Sequence, residues 1–363
     1  MNTLHRRDFI RTSLFGGIAA AALPASAMEA LSEQTKVAYQ GGNSKVSLVT
    51  GNSRADMAFK ALQPLSKEIA QAIGNKKVLI KPNLVSSSIQ LSASHVESME
   101  GILEFLKSIN KLENTIIAES AADGPTMLAF ENYKYLPLID KYKVKLVDLD
   151  EQPTKILYAI DERDFRPHPI RMSALLQDPN NFIISAARMK THDRVLCTLS
   201  LKNVVVAAPI KDPGFSFGRN RKQGAQSDKA FVHGNGFKGI NYNLFSLAYD
   251  IHPNLAFIDG FDGMEGNGPT NGTPVDHRVC LAGLDWVATD RVGVELMGVD
   301  YANVGYLNFC ADAGMGQGDL SKIEVIGEKV ADHIKVYKMA KNIDQQLSWK
   351  EPFQPAVQST RVQ

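Results

Sequence analysis

The sequence predicts an α/β fold in which a mostly parallel or mixed β-sheet is flanked by helices. Short apolar runs of strand composition alternate with segments of helical periodicity, and this order is typical of parallel sheets with right-handed crossovers. Apolar residues make up 44% of the chain, which is enough for a substantial core. About 335 residues follow residue 27, a length that suits one large domain or two lobes.

The individual elements follow from local composition. Strands are predicted where apolar residues cluster, at residues 45–49, 78–80, 115–118, 144–149, 182–184, 255–258, 278–281 and 323–326. Helices are predicted where apolar residues recur every three or four positions, at residues 55–73, 96–109 and 286–297. The first helix should end at Gly74, because glycine readily adopts the backbone conformation that terminates a helix.

These elements define a domain over residues 45–335. The polar, proline-bearing stretch 150–169 is predicted to be a connection or a surface hairpin, and it allows a division into lobes at 45–150 and 180–335. Beyond Tyr337 the periodicity is lost, so residues 338–363 are predicted to form a loosely packed tail.

Residues 1–27 have the pattern of an export signal. Arg6 and Arg7 precede Asp-Phe-Ile, an uncharged stretch of small and apolar residues, and a cleavage site ending at Ala27. The pattern resembles a twin-arginine signal, which carries folded proteins across the bacterial inner membrane; the alternative is an ordinary secretory signal. The stretch is too short and too weakly apolar for a stable membrane span. The sequence therefore predicts a periplasmic protein that engages the twin-arginine translocase, and folded export favours a bound cofactor or metal.

Composition excludes several classes of function. A formal net charge of +1 gives no reason to expect a nucleic-acid partner. Cys197, Cys280 and Cys310 are far apart, so no iron–sulfur cluster is expected, and they form either one disulfide with one thiol or three buried thiols. No glycine-rich phosphate loop is present, so no nucleotide is expected, and no Gly-x-Ser-x-Gly elbow indicates an α/β-hydrolase.

The glycine-rich segment 259–274 follows a predicted strand directly. Its five glycines among residues 260–272 and its two prolines predict an irregular loop rather than helix or regular strand. Asp259, Asp262 and Glu265 are the candidate ligands for a divalent metal, and Asn267 is a candidate substrate ligand. A purely structural acidic turn is the alternative. The site interpretation is favoured because open α/β sheets bind ligands beyond the carboxyl ends of their strands.

Several lysine and asparagine side chains also come at or after the carboxyl ends of predicted strands. Lys81 and Asn83 come at the end of one predicted strand, Lys190 follows another, and Lys202 with Asn203 opens an apolar segment. One such lysine often extends into solvent, but several at strand ends favour a small anionic ligand. We therefore expect Lys81, Lys190, His192 and Lys202 to converge, together with residues 259–268, on one concave surface at the carboxyl edge of the sheet.

Two histidines are candidates for proton transfer. His192 lies beside Lys190, and His233 is followed by Gly234, which lets the backbone approach a ligand. Imidazole titrates near neutral pH and also binds metals. No dense metal-ligand spacing is present, so any metal would need ligands from distant segments.

Five segments resemble one family in their sequence and order. They are residues 78–85, 190–192, 200–203, 259–274 and 282–285. The set is similar to the bacterial and archaeal family called domain of unknown function 362, over about residues 45–300 of this chain. Many relatives carry ferredoxin-type cysteine clusters that this chain lacks, so the resemblance does not imply electron transfer here.

Two function classes follow from these residues. In the first, an exported enzyme binds a hydroxy acid or sugar acid through Lys81, Lys190 and neighbouring amides. His192, His233 and Lys202 would carry out proton transfer with metal assistance, as in an isomerase or lyase. Nickel-pincer lactate racemases also combine histidines with a lysine after a strand, which points the same way. In the second class, a periplasmic binding or assembly protein holds a metal or an anion without turnover.

Overall fold

The structure is a computed structural model that describes residues 44–216 and 222–352. The predicted export signal, residues 1–27, lies outside the described residues. The predicted α/β class is confirmed: a large sheet, mostly parallel, is covered by helices on both faces. Within the described ranges, no helix has the length and apolarity needed to span a membrane.

The main sheet contains nine of the strands formed by the described residues, in the order β11-β1-β10-β9-β7-β2-β3-β4, with β8 paired to β7. These strands are β1 (Ser44–Thr50), β2 (Lys77–Pro82), β3 (Ile116–Glu119), β4 (Lys145–Asp148), β7 (Asn181–His192), β8 (Leu196–Thr198), β9 (Leu255–Asn267), β10 (Asn271–Gly283) and β11 (Ile323–Gly327). The run β9-β7-β2-β3-β4 is parallel. Its strands therefore end at the same edge, and that edge carries the candidate site.

Helices cover the sheet because its strands are apolar on both faces, as parallel strands usually are. They are α1 (Arg54–Leu62), α2 (Ser66–Ile73), α3 (Val96–Ser108), α4 (Thr126–Asn132), α5 (Pro137–Tyr142), α6 (Ser200–Ala207), α7 (Lys229–Val232), α8 (Phe237–Leu247), α9 (Trp286–Leu296), α10 (Gly305–Asp312) and α11 (Ile343–Gln346). Alternate residues of β2 face opposite ways: Val78 and Ile80 pack with α1 to α5, and Leu79 packs with α6 and α8 to α10.

The first helical segment differs from the prediction. Residues 55–73 were expected to form one helix, but a 3₁₀ turn at Gln63–Leu65 separates α1 from α2. Pro64 explains the break, because proline lacks the N–H that an α-helix needs in its interior. The predicted end at Gly74 is confirmed, with φ of 51°.

The segment 259–274 also differs from the prediction of an irregular loop. Most of it belongs to the antiparallel pair β9 and β10, with Gly266 opposite Gly272 and Met264 opposite Pro274. Glycine suits these positions because other atoms approach closely: a Cβ on Gly272 would lie 2.4 Å from the carbonyl oxygen of Glu265.

The stretch 150–169 lies mostly in a second, smaller sheet, and the main sheet combines strands from both of the predicted lobes. Strands β5 (Thr154–Ile160) and β6 (Pro167–Ser173) form a separate two-stranded antiparallel sheet. Strands from 45–150 and from 180–335 alternate within the main sheet, since β1 pairs with β10 and β2 pairs with β7. The main sheet therefore does not divide at residue 150.

Residues 338–352 are docked, whereas the sequence predicted a loosely packed tail. The Lys338 N–H donates to the Glu265 carboxylate at 2.9 Å, and the Trp349 ring packs edge-on against Phe309. Gln346 is fully buried. Sequence periodicity did not reveal this packing because the segment is mostly irregular, and it docks through scattered apolar residues such as Ile343 and Leu347 together with individual hydrogen bonds. Residues 353–363 lie outside the described residues.

The three cysteines are buried and free. Cys197, Cys280 and Cys310 therefore form no disulfide, which agrees with the alternative of three buried thiols.

Candidate functional site

A pocket of about 390 Å³ lies at the carboxyl ends of β2, β3 and β7. Helix α6, helix α7 with the residue after it, the segments after β2 and β3, and the turn between β9 and β10 also line it. The side chains that carry charge or hydrogen bonds into its lining include Lys81, Asn83, Glu119, Ser120, Asp123, His192, Asp193, Arg194, Lys202, Asn203, Lys229, His233 and Thr270. Its location matches the rule that open α/β sheets bind ligands at this edge.

Lys81 and Glu119 form a buried ion pair at the ends of β2 and β3. The Lys81 Nζ lies 2.8 Å from a carboxylate oxygen of Glu119, and both residues are at most 1% exposed. Glu119 also accepts hydrogen bonds from the backbone N–H groups of Leu84 and Ser120, at 2.6 and 2.8 Å. Burial lowers the pKa of Lys81, and the charge of Glu119 opposes that shift. The pair carries no net charge, and both residues line the pocket.

Asn203 connects this ion pair to the rest of the pocket floor. Its side-chain oxygen accepts from the Lys81 ammonium at 3.1 Å and from the Asn83 amide at 2.9 Å. Its amide donates to the Lys81 carbonyl and to the Ser185 hydroxyl, both at 3.0 Å. With all of these groups satisfied, the network holds β2, β7 and α6 in one arrangement.

Lys190 lies behind Asn83 and is fully buried. Its Nζ donates to the Asn83 side-chain oxygen at 2.5 Å and to the Ser92 carbonyl at 2.8 Å. Burial, and then the positive charge of Lys202, hold the pKa of Lys190 well below its usual value. Lys190 thus orients Asn83 without lining the pocket directly.

Helix α6 carries Lys202 into the pocket, and Asp290 fixes the first turn of that helix. Asp290 accepts from the backbone N–H groups of Ser200 and Leu201, at 2.8 and 3.1 Å. Lys202 is 5% exposed. Its Nζ has no hydrogen-bond or ion-pair partner among residues 44–216 and 222–352. Burial lowers the pKa of Lys202 to about 8.

Lys229 lies on α7, at the carboxyl end of α6. Its Nζ donates to the carbonyl oxygens of Ala207 and Pro209, at 2.9 and 2.6 Å. Carbonyl groups at the end of a helix lack internal partners, so the lysine satisfies them and complements the helix dipole. Burial lowers the pKa of Lys229 to about 7, against the opposing charge of Asp150.

His192 and His233 have stacked rings whose centroids lie 6.4 Å apart, with 25° between the planes. The Arg194 backbone N–H donates to Nδ1 of His192 at 3.0 Å, so the proton of that neutral ring is on Nε2. Nδ1 of His233 lies 2.8 Å from the Lys229 carbonyl oxygen. A carbonyl only accepts, so Nδ1 of His233 is protonated and its Nε2 bears a lone pair.

Both rings are neutral at pH 7. Burial is the main cause, and the charge of Lys202 adds to it: the pKa of His233 falls to about 4, and that of His192 is held well below its usual value. The pair therefore presents one N–H donor and one basic nitrogen, which is the equipment for moving a proton on a bound molecule.

The structure brings together seven of the eleven side chains that the sequence selected. Lys81, Asn83, His192, Lys202, Asn203 and His233 line the pocket, and Lys190 contacts Asn83 behind it. The four candidates from residues 259–268 lie elsewhere, and only Pro269 and Thr270 of this hairpin reach the pocket. The expected convergence thus holds for Lys81, Lys190, Lys202 and His192, and it fails for residues 259–268.

Asp259 and Asp262 bind Arg54 instead. The guanidinium of Arg54 lies 3.2 Å from Asp259 and 2.6 Å from Asp262, and it covers the Phe261 ring at 4.5 Å from the ring centroid. Asp259 also accepts from the Ser98 hydroxyl at 2.8 Å. These carboxylates are occupied by an arginine that the sequence places some 200 residues earlier.

Glu265 and Asn267 hold the C-terminal segment. Glu265 accepts from the Lys338 N–H, and the Asn267 side-chain oxygen accepts from the Lys341 N–H, each at 2.9 Å. Across the described ranges, no group of three His, Cys, Asp or Glu side chains is arranged to hold a metal ion.

Glu119 and Lys229 are among the pocket residues that were not selected from the sequence. Glu119 follows a predicted strand directly, so the rule that selected Lys81 would have selected it as well. Lys229 precedes His233 by four residues, the spacing of side chains on one helical face, and this was the available signal.

Comparison with known proteins assigns the family. The profile of the family described as domain of unknown function 362 matches residues 78–295, more than half of the 363-residue chain. The chain belongs to this family. All pocket-lining residues fall inside the matched range of domain of unknown function 362.

One curated protein with sequence similarity is a thylakoid-associated protein of Synechocystis sp. It is 25% identical over 233 residues, which cover 63% of this chain and 65% of that protein. The chain thus spans less than two thirds of this relative's length. No solved structure matches the chain significantly.

Proposed function

We propose that the protein is an enzyme that binds a small organic anion and moves a proton on it. One observation carries this proposal: Lys190, Lys202 and Lys229 are each at least 95% buried around one pocket, yet within the described residues none contacts a carboxylate. A buried positive charge is costly unless an opposite charge accompanies it. A bound anion would supply that charge.

The pocket suits a substrate of the hydroxy-acid or sugar-acid type. Its volume of about 390 Å³ is at the lower end of the range for small-molecule sites, which begins at about 300 Å³. Ser120 and Thr270 in the lining offer hydroxyl groups to substrate hydroxyls. The anionic group would lie near the lysines and the exchanging C–H or O–H near His192 and His233.

The roles of the histidines follow from their tautomers. His233 would accept the substrate proton on Nε2, and His192 would donate a hydrogen bond from Nε2 to the oxygen that gains charge. This is the chemistry of an isomerase or a lyase. Elemental analysis of the natively exported protein would show whether a metal assists this reaction.

Solvent deuterium exchange tests the proposal without knowledge of the product. Hydroxy acids and sugar acids would be incubated with the protein in D₂O, and loss of the signal of the proton next to the carboxylate would be followed by proton NMR. We expect exchange with at least one compound, and its loss in His233→Gln. His252→Gln is the matched control, because Nδ1 of His252 also lies near the carbonyl four residues earlier, at 2.9 Å, but His252 is not in the pocket.

A second candidate is a binding or assembly protein that holds an anion without turnover. The same buried lysines favour anion binding in either case. Anions that bind in calorimetry but never exchange a proton would support this candidate and exclude the enzyme.

Export by the twin-arginine route is proposed from the N-terminal pattern alone. Replacing Arg6 and Arg7 by lysine should leave the precursor in the cytoplasm. Normal processing of the double variant would contradict the proposal.

A further inference from the structure

Lys202 differs from the other lysines at the pocket because, within the described residues, its Nζ makes no contact that stabilises the fold. Lys81 contacts Glu119, Lys190 contacts Asn83, and Lys229 contacts the end of α6. Lys202 lines the same pocket and is 5% exposed. No atom of the described chain accepts a hydrogen bond from its Nζ. A buried amine directed into a cavity without a structural partner is available for chemistry on a ligand.

Burial also makes this amine a nucleophile near neutral pH. Its pKa of about 8 leaves about a tenth of Lys202 uncharged at pH 7, whereas an exposed lysine with a pKa of about 10.4 is almost entirely charged. An uncharged amine in an apolar pocket is the form that attacks carbonyl carbons. His233 and His192, which line the same pocket, can carry and stabilise the charges that such an attack creates.

We propose that Lys202 forms an imine with the carbonyl group of an anionic oxo acid bound in the pocket. This inference rests on the proposed function, since it needs an anion in the pocket. It narrows the substrates to 2-oxo acids and to sugar acids in their open carbonyl form.

The step balances without any further reactant. The Lys202 Nζ adds to the carbonyl carbon, a C–N bond forms, and the C=O electron pair moves to oxygen, which accepts a hydrogen bond from Nε2–H of His192. His233 carries one proton from nitrogen to that oxygen and gives a neutral carbinolamine. The nitrogen lone pair then forms C=N as hydroxide leaves. His233 transfers the second nitrogen proton to the hydroxide, so that one water is released.

Reductive trapping tests the imine directly. The full chain would be incubated with glyoxylate, pyruvate or 2-oxoglutarate, reduced with borohydride, and analysed by intact mass and peptide mapping. We expect one reduced adduct per chain at Lys202 with at least one of these acids. The matching hydroxy acids (glycolate, lactate and 2-hydroxyglutarate) have the same charge and no carbonyl, so they should suppress labelling by competition.

Two variants and one control complete the test. Lys202→Arg keeps the positive charge and Lys202→Met removes it, and both should lose the adduct while thermal melting shows that they remain folded. Lys107→Arg removes a lysine that is 65% exposed on α3 and should label like the wild type. Labelling spread over exposed lysines with no preference for Lys202, or no labelling with any oxo acid, would overturn the inference.

Calorimetry separates this inference from the proposed function. If an oxo acid or its hydroxy counterpart binds but Lys202 is never trapped, the imine is excluded and the anion site stands. If none of the six acids binds, the proposed function fails for this substrate class, and the imine fails with it.

Discussion

Binding of anions to the pocket should weaken as pH rises from 7 to 9, because Lys202 loses its charge in that range. Its pKa of about 8 makes it about 90% charged at pH 7 and about 10% charged at pH 9. If the anion binds only the charged form, the affinity falls by about tenfold, which is about 1.4 kcal/mol. The direction of this change follows from the charge of lysine. Because its pKa is lowered, Lys202 loses its positive charge at a lower pH than an exposed lysine does, and the bound anion then loses its charged partner.

The assay is isothermal titration with lactate or another hydroxy acid that binds at pH 7, repeated across this range. Lys202→Arg is the matched control, because its guanidinium stays charged at all these pH values. Its affinity should change little above pH 8. Lys229, with a pKa of about 7, should contribute its own decline mainly below pH 8. An affinity that is flat for the wild type, or one that falls equally in Lys202→Arg, would refute the role assigned to Lys202.

Three further results are expected. Lys202→Met should raise the free energy of unfolding at pH 7 by about 3 kcal/mol at most, because burial lowers the pKa of this lysine from its ordinary value of about 10.4 to about 8. Denaturation at pH 10 should show a much smaller gain, since the penalty fades as pH rises above 8. Gly268→Val should lower the melting temperature, with a cost of about 1–3 kcal/mol or more, because its Cβ would lie 2.0 Å from the Thr191 carbonyl oxygen; an unchanged melt would mean that this contact is not tight. Glu265→Ala should leave anion affinity within about twofold while costing about 1 kcal/mol, the value of one hydrogen bond, at Lys338. Faster amide hydrogen exchange near Lys338 would show that the C-terminal segment has lost this contact. A loss of anion affinity without faster exchange there would show that Glu265 contributes to anion binding.

Lys81 and His192 could be selected from the sequence because parallel strands end at the same edge of a sheet. Lys81 precedes Pro82, the last residue of β2, and His192 is the last residue of β7, so both lie at that edge. Lys202 and His233 lie on and after helices, so this rule does not explain their positions. The position of Asn203 is harder to predict from the sequence. It depends on how α6 packs across β7, and amino-acid composition does not specify that packing.

The acidic candidates could not be assigned from local sequence. Glycine and proline content indicates a special backbone, but it does not say whether another strand lies beside it. Asp259 and Asp262 were predicted to be metal ligands, but both carboxylates form ion pairs with Arg54. A partner so far away in sequence leaves no trace in the spacing around Asp259.

The C-terminal segment has a consequence for how the pocket forms. Asn342 donates to the Asp193 carbonyl at 2.9 Å, and Gln346 accepts from the Leu196 N–H at 2.7 Å. These bonds hold the chain on either side of Arg194, immediately after His192. Residues 342 and 346 leave the ribosome after every strand of the sheet, so the sheet can assemble while this corner still lacks its partners. Nascent chains halted before residue 342 should therefore be compact yet exchange the amide hydrogen of Leu196 rapidly, because that amide has lost its partner Gln346.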